Sequence, residues 1–157
     1  MTSSGFLSSE VKLDGIDATQ NFIVDTGASI SVVSEALRAR EEMGRFMQTT
    51  RIKVYGAAGI TENVSALIIP KMTVGLHSRS VVPAVILDLE PINETTGFEQ
   101  TGIIGGNFLR NYRMTIDFQR AILRLEPVSP AAAAPAPQHT GNKSTASPAA
   151  ATAAPKN

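Results

Sequence analysis

The chain has 157 residues, with 14 Lys and Arg against 14 Asp and Glu, two His, no Cys and no Trp. A formal charge of zero and a pI near 6.7 speak against an electrostatic nucleic-acid binder or a protein held on an anionic membrane surface. The lack of Cys removes disulfide frameworks, thiolate metal sites and cysteine nucleophiles, and His139 lies in a low-complexity tail, so histidine chemistry rests on His77 alone. No stretch reaches the ~18 apolar residues of a membrane span, and Met1-Thr2-Ser3-Ser4-Gly5 does not open a secretory leader. The chain as given reads as soluble and cytoplasmic, or as periplasmic or membrane-anchored if a leader has been trimmed from its N-terminus.

In chain order, Val11–Leu13 and Asn21–Val24 have strand composition, with Asp14-Gly15 as a turn between them, and Ile30–Val33 is a further short apolar run. From Ser34 the period becomes helical. Ala36, Leu37, Arg40 and Met43 share a face, Ser34 suits the N-cap, Glu35 the first turn and Gly44 the stop. The Glu35–Arg45 charges read as a solvated helix face. Arg51–Tyr55 and Ile60–Ile69 read as strands joined by Gly56-Ala57-Ala58-Gly59, and Lys71–Val74 and Val81–Leu87 continue the sheet. His77 falls in a turn. Asp88, Glu90, Glu94 and Glu99 fall in a loop with Pro91 and Gly97, without the spacing of a metal site. A short helix is expected at about 107–111, then a hairpin of Met114–Phe118 and Ala121–Leu125 around Gln119-Arg120. Many short strands with one or two short helices predict a mainly β, barrel-like fold.

Composition changes after Pro127. Residues 128–157 hold eleven Ala, five Pro, three Ser and three Thr, and Val128 is their only large apolar residue. Such a segment has too little to bury against ~1–2 kcal/mol of backbone entropy per residue. The expectation is a folded domain over 1–127 and a disordered Ala/Pro-rich tail over 128–157. The domain's net charge is 12 − 14 = −2, because two of the basic residues lie in the tail.

The sharpest local feature is Phe22-Ile23-Val24-Asp25-Thr26-Gly27-Ala28-Ser29. An apolar strand ends in an acid, and Thr and Gly follow at once, which places the carboxylate on a tight turn outside the core. Gly27 permits close backbone approach or a positive φ. Alone, these residues also suit an ordinary turn closing a hairpin. Together with the glycine-tipped hairpin and with Gly102-Ile103-Ile104-Gly105 leading into a helix, in that order, the chain resembles the retropepsin-like aspartic proteases over about Val11–Leu125. The closing segment from Met114 to Leu125 resembles cellular and bacterial members more than viral ones.

The resemblance implies a closed β-barrel of the acid-protease type and an aspartic endopeptidase that needs neither metal nor cofactor. Its water is activated between two carboxylates that share one proton. Only Asp25 of the five aspartates sits in the motif, so the second carboxylate is expected from Asp25 of a second copy, in a symmetric homodimer. Thr26 inherits the role of locking the two turns together, and Gly27 lets substrate and partner come close. Tyr55, Gly56, Ala57, Ala58, Gly59 and Ile60 correspond to a flap over an extended peptide, with Ala28 and Ser29 in the cleft. Ile103, Ile104 and Gly105 are expected to pack beneath the turn. Ala28 replaces the Ser usual in pepsins, and without that hydroxyl the pH optimum is expected to be less acid than a pepsin's. The Gly-Ala-Ala-Gly tip also matches an RNA-binding loop, but its flanks are strands.

Two positions depart from the viral pattern. The acid and arginine usually paired there are Ser29 and Gly106, so no charge is stranded, but the viral dimer contact has no counterpart. Two other readings accompany the protease: a silent module used for dimerisation or peptide binding, and one lobe of a longer two-lobed enzyme.

Overall fold

The computed structural model describes residues 5–56 and 59–128. β1 (Ser8–Leu13) buries Val11 and Leu13 and exposes Glu10 and Lys12, the alternation of a strand with one face on a core. Gly15, at φ +85°, turns the chain towards β2 (Gln20–Val24), which pairs antiparallel with β1. After the turn that carries Asp25 come β3 (Ser31–Ser34) and α1 (Glu35–Arg38). The Ser34 hydroxyl caps α1 by accepting the Leu37 N–H at 3.0 Å.

The helix expected to run from Ser34 to Gly44 stops after one turn. A 3₁₀ segment, Glu41–Phe46, takes over, with Gly44 inside it, and so Met43 and Phe46 both reach the core. β4 (Met47–Gly56) and β5 (Gly59–Val74) form the long hairpin, whose tip residues Ala57 and Ala58 lie outside the described residues. β5 is continuous through Pro70, which divides the two expected strands in sequence only. The ladder to β6 (His77–Leu87) passes over Pro70 and Val81, which would face each other, and holds its register from Ile69↔Val82 to Lys71↔Ser80. Proline has no N–H to give, and Val81 departs to φ +56° at that point. His77 opens β6 rather than sitting in a turn, and its ring lies 4.9 Å from that of Tyr112.

The expected acidic loop contains a helix, α2 (Glu90–Thr96). Pro91 lies in its first turn, and Gly97 follows at φ +66° as the left-handed cap. β7 (Gly102–Ile104), α3 (Gly106–Leu109) and the hairpin of β8 (Tyr112–Asp117) and β9 (Ile122–Pro127) complete the order. No helix among the described residues is long and apolar enough to cross a membrane.

The large sheet runs β1-β2-β7-β3-β6-β5-β4, and β1 also pairs with β5. Six strands therefore form a ring, and β4 lies outside it, held by β5 alone among the described residues. The closed barrel expected from sequence is this ring with one strand appended, in a mainly β fold. The main core holds Phe22, Leu37, Met43, Ile69, Ile104 and Phe108. A second cluster gathers Val32, Val64, Val85 and Leu89, with half-buried Ile30, Ile52, Val54, Leu87 and Ile103 packed on it.

Candidate active site

β7 is the element that builds the site. It runs parallel to β2, with Val24 opposite Ile104, and antiparallel to β3, with Val32 opposite Ile103. The chain leaving β2 and the chain beginning β3 are thereby clamped on either side of it. Two glycines make this contact possible. A Cβ on Gly102 would lie 2.4 Å from the Phe22 ring and 2.5 Å from the Val32 carbonyl oxygen, and one on Gly105 would lie 2.5 Å from the Ile30 carbonyl. The two isoleucines between them face different ways: Ile104 is fully buried in the main core, and Ile103 lies in the second cluster. Ile103 is thus part of the cleft as well as of its support.

The Asp25 turn hangs from this clamp by main-chain bonds. The Asp25 N–H donates to Ile104 O at 3.1 Å, and the Gly106 N–H donates to Ala28 O at 2.7 Å. The Asn107 N–H donates to Ser29 O at 3.1 Å. At the places of the viral acid–arginine pair, Ser29 and Gly106, the backbone therefore makes the connection. Within the turn the Gly27 N–H donates to Asp25 Oδ1 at 2.8 Å, which fixes the carboxylate, while Oδ2 meets no donor among the described residues. Gly27 has no positive φ. Its smallness matters instead, since a Cβ there would stand 3.2 Å from Oδ1. Thr26 is exposed and its hydroxyl has no partner among the described residues.

Asp25 opens onto a cavity of about 580 Å³ between this turn and the β4–β5 hairpin. Ala28, Ile30, Val32, Val85, Leu87 and Ile103 line it from the body, and Ile52, Val54 and Tyr55 from β4. Asp25 is the one carboxylate in this lining among the described residues, and Lys53 the one cation, paired to Glu62 of β5. Of the expected site residues, Asp25, Gly27, Ala28, Ser29, Tyr55 and Ile103 meet at the cavity. Gly59 and Ile60 stand at the hairpin's exposed end, with Gly59 paired to Gly56 and Ile60 to Tyr55. Ala57 and Ala58 lie outside the described residues. Ile104 and Gly105 lie behind the turn.

Sequence reasoning missed the rest of the wall. The alternation Ile52, Val54 against Arg51, Lys53, Tyr55 carries the signal for an apolar inner face on β4, and Val85 and Leu87 repeat it on β6. Asn107, read only as the start of a helix, is the other omission. Its side chain joins Ser31 to Pro83.

The match to a family model described as aspartyl protease covers residues 9–108, from β1 to α3, and so takes in both Asp25-Thr26-Gly27 and Gly102-Ile103-Ile104-Gly105. No curated protein matches the sequence. Among solved structures, the crystal structure of a retropepsin-like aspartic protease from Rickettsia conorii aligns with a TM-score of 0.53 at 16% identity, over 78% of this chain and 83% of that one. That likeness is one of fold. The clamped Asp-Thr-Gly turn, the ring of strands and the family match agree, and the chain belongs to the aspartyl protease family, with a retropepsin-like fold.

Proposed function

We propose that the chain is an aspartic endopeptidase that works as a homodimer, with Asp25 of one protomer and the partner subunit's Asp25 as its catalytic dyad. The observation that carries this reading is the solitary carboxylate: Asp25 lies on an apolar cavity that has no second acid among the described residues. Hydrolysis by carboxylates alone needs a base for the water and an acid for the carbonyl oxygen, and one group does not serve as both at the same moment. Two carboxylates brought together share a proton because like charges at that range do not both ionise, and the pair then titrates as a unit. Exposed Thr26 and Gly27, beside Asp25, leave room for the second turn.

In the proposed reaction the ionised member takes a proton from water as its oxygen attacks the scissile carbonyl carbon, and the protonated member gives its proton to the carbonyl oxygen. The tetrahedral diol collapses as its C–N bond breaks. One diol hydroxyl returns its proton to the ionised carboxylate as the C=O re-forms, and the leaving nitrogen takes the proton of the other carboxyl, which restores the singly protonated dyad. The cavity's aliphatic wall suits an apolar side chain beside the cut. Among the described residues β4 is paired on one side only, which suits an extended peptide added as a strand.

Cleavage of a mixed peptide library between pH 3 and pH 7 tests the proposal, with wild type, Asp25→Asn, and wild type plus a statine-type inhibitor run in parallel. Cleavage is expected to disappear in the variant and with the inhibitor. Cleavage that survives Asp25→Asn overturns the mechanism, and an inactive wild-type dimer favours a silent peptide-binding or dimerisation module.

A further inference from the structure

Asn107 occupies an unusual place in the bonding around the Asp25 turn. Its Oδ1 accepts both the N–H of Ser31, at 3.0 Å, and the Ser31 hydroxyl, at 2.8 Å. Ser31 is fully buried, and its Oγ in turn accepts the Gly105 N–H at 3.1 Å. The Asn107 Nδ2 donates to Pro83 O at 2.6 Å. That carbonyl adjoins the first β3–β6 pair, Ser31↔Ala84. With the backbone bond from Asn107 to Ser29 O, one residue ties together the end of the Asp25 turn, the Gly105 corner and strand β6. A carboxamide suits this position because it presents an acceptor and a donor on one rigid plane.

We infer that Asn107 is a positioning residue for the reaction: through Ser31 and Ser29 it sets where the Asp25 turn and the adjoining cavity wall stand. The inference rests on the protease reading above. Its effect falls on the turnover step more than on substrate affinity, because Asn107 is not part of the cavity lining.

The test uses Asn107→Asp and Asn107→Ala in the full chain. Asp keeps the acceptor for Ser31 but sets a carboxylate oxygen against the Pro83 carbonyl oxygen. The oxygen facing that acceptor is unfavourable when ionised, and the new carboxyl takes up a proton as pH falls through its titration point. Below that point its O–H donates to Pro83 O and the lost bond returns. The ratio of kcat for Asn107→Asp to wild type is therefore expected to rise as pH falls, from a deficit of about ten- to a hundredfold near neutrality, with KM changing far less. Asn107→Ala is expected to show a deficit that does not recover on acidification.

Amide hydrogen exchange at Ser31 and Gly105, read against wild type at each pH, is expected to follow the same pattern and does not depend on catalysis. Inactive wild-type protein with this exchange pattern present overturns the protease reading and keeps the role of Asn107 in holding the turn. A kcat ratio for Asn107→Asp that stays flat with pH, or protection unchanged in both variants, overturns the inference. If Asn107→Ala does not fold, Asn107→Asp cycled between acid and neutral pH carries the test on one protein.

Discussion

Gly102 and Gly105 show how residue choice sets the site. Each is needed for space: neither has a positive φ, yet an added Cβ would sit inside the Phe22 ring and the Val32 carbonyl at one position and inside the Ile30 carbonyl at the other. At Gly106 the nearest atom, Ala28 O, would be 3.3 Å away. Gly102→Ala is therefore expected to destabilise by about 1–3 kcal/mol, the range for overpacking a core. Gly106→Ala is expected to cost clearly less. Urea denaturation of the two variants beside wild type checks the order, and equal midpoints would contradict the close-approach account. The glycines were legible as part of a motif, but the reason for them was not, because Phe22, Val32 and Ile30 are neighbours only once β7 has inserted between β2 and β3.

At the scale of elements, the strands with one buried face read well from sequence because alternation survives in them. Val11 and Leu13, and later Val82 and Ala84, lie inward as their spacing requires. Local signals that compete read badly. Ala36, Leu37, Arg40 and Met43 suit one helix with Ser34 as its N-cap, but α1 ends at Arg38 and a 3₁₀ segment begins at Glu41. Pro91 and Gly97 suit a loop by composition, but Pro early and Gly just after the end are also the punctuation of a helix, here α2. The β4–β5 hairpin was legible as an element, and its cavity-facing side was in the alternation of Ile52 and Val54. Tyr55 is 75% exposed although it lines the Asp25 cavity from this hairpin. An exposed aromatic contributes little to stability but offers apolar area to a bound peptide. Tyr55→Ala is expected to leave stability within about 0.5 kcal/mol and to raise KM several-fold in peptide cleavage. A drop in stability with KM unchanged would assign Tyr55 to the fold instead.

For the whole molecule, closure was expected from the family resemblance, but the β1–β5 pairing that makes it was not legible in the residues themselves. Val11↔Val74 and Leu13↔Met72 join segments far apart in the chain, and no local pattern records such pairing. The composition shift after Pro127 coincides with the end of β9, and we propose the domain boundary there. The solitary acid is the whole-molecule feature with the largest consequence. A site complete in one chain needs two carboxylates on one cavity, and this cavity holds Asp25 alone among the described residues. The most direct measurement mixes wild type with Asp25→Asn at fixed total chain concentration, allows subunits to exchange, and follows peptide cleavage against the wild-type fraction. A dyad shared between subunits predicts a rate that falls as the square of that fraction, to about a quarter when half the chains are wild type. A rate that falls in simple proportion, to about a half, would place a complete catalytic site within each chain and contradict the account.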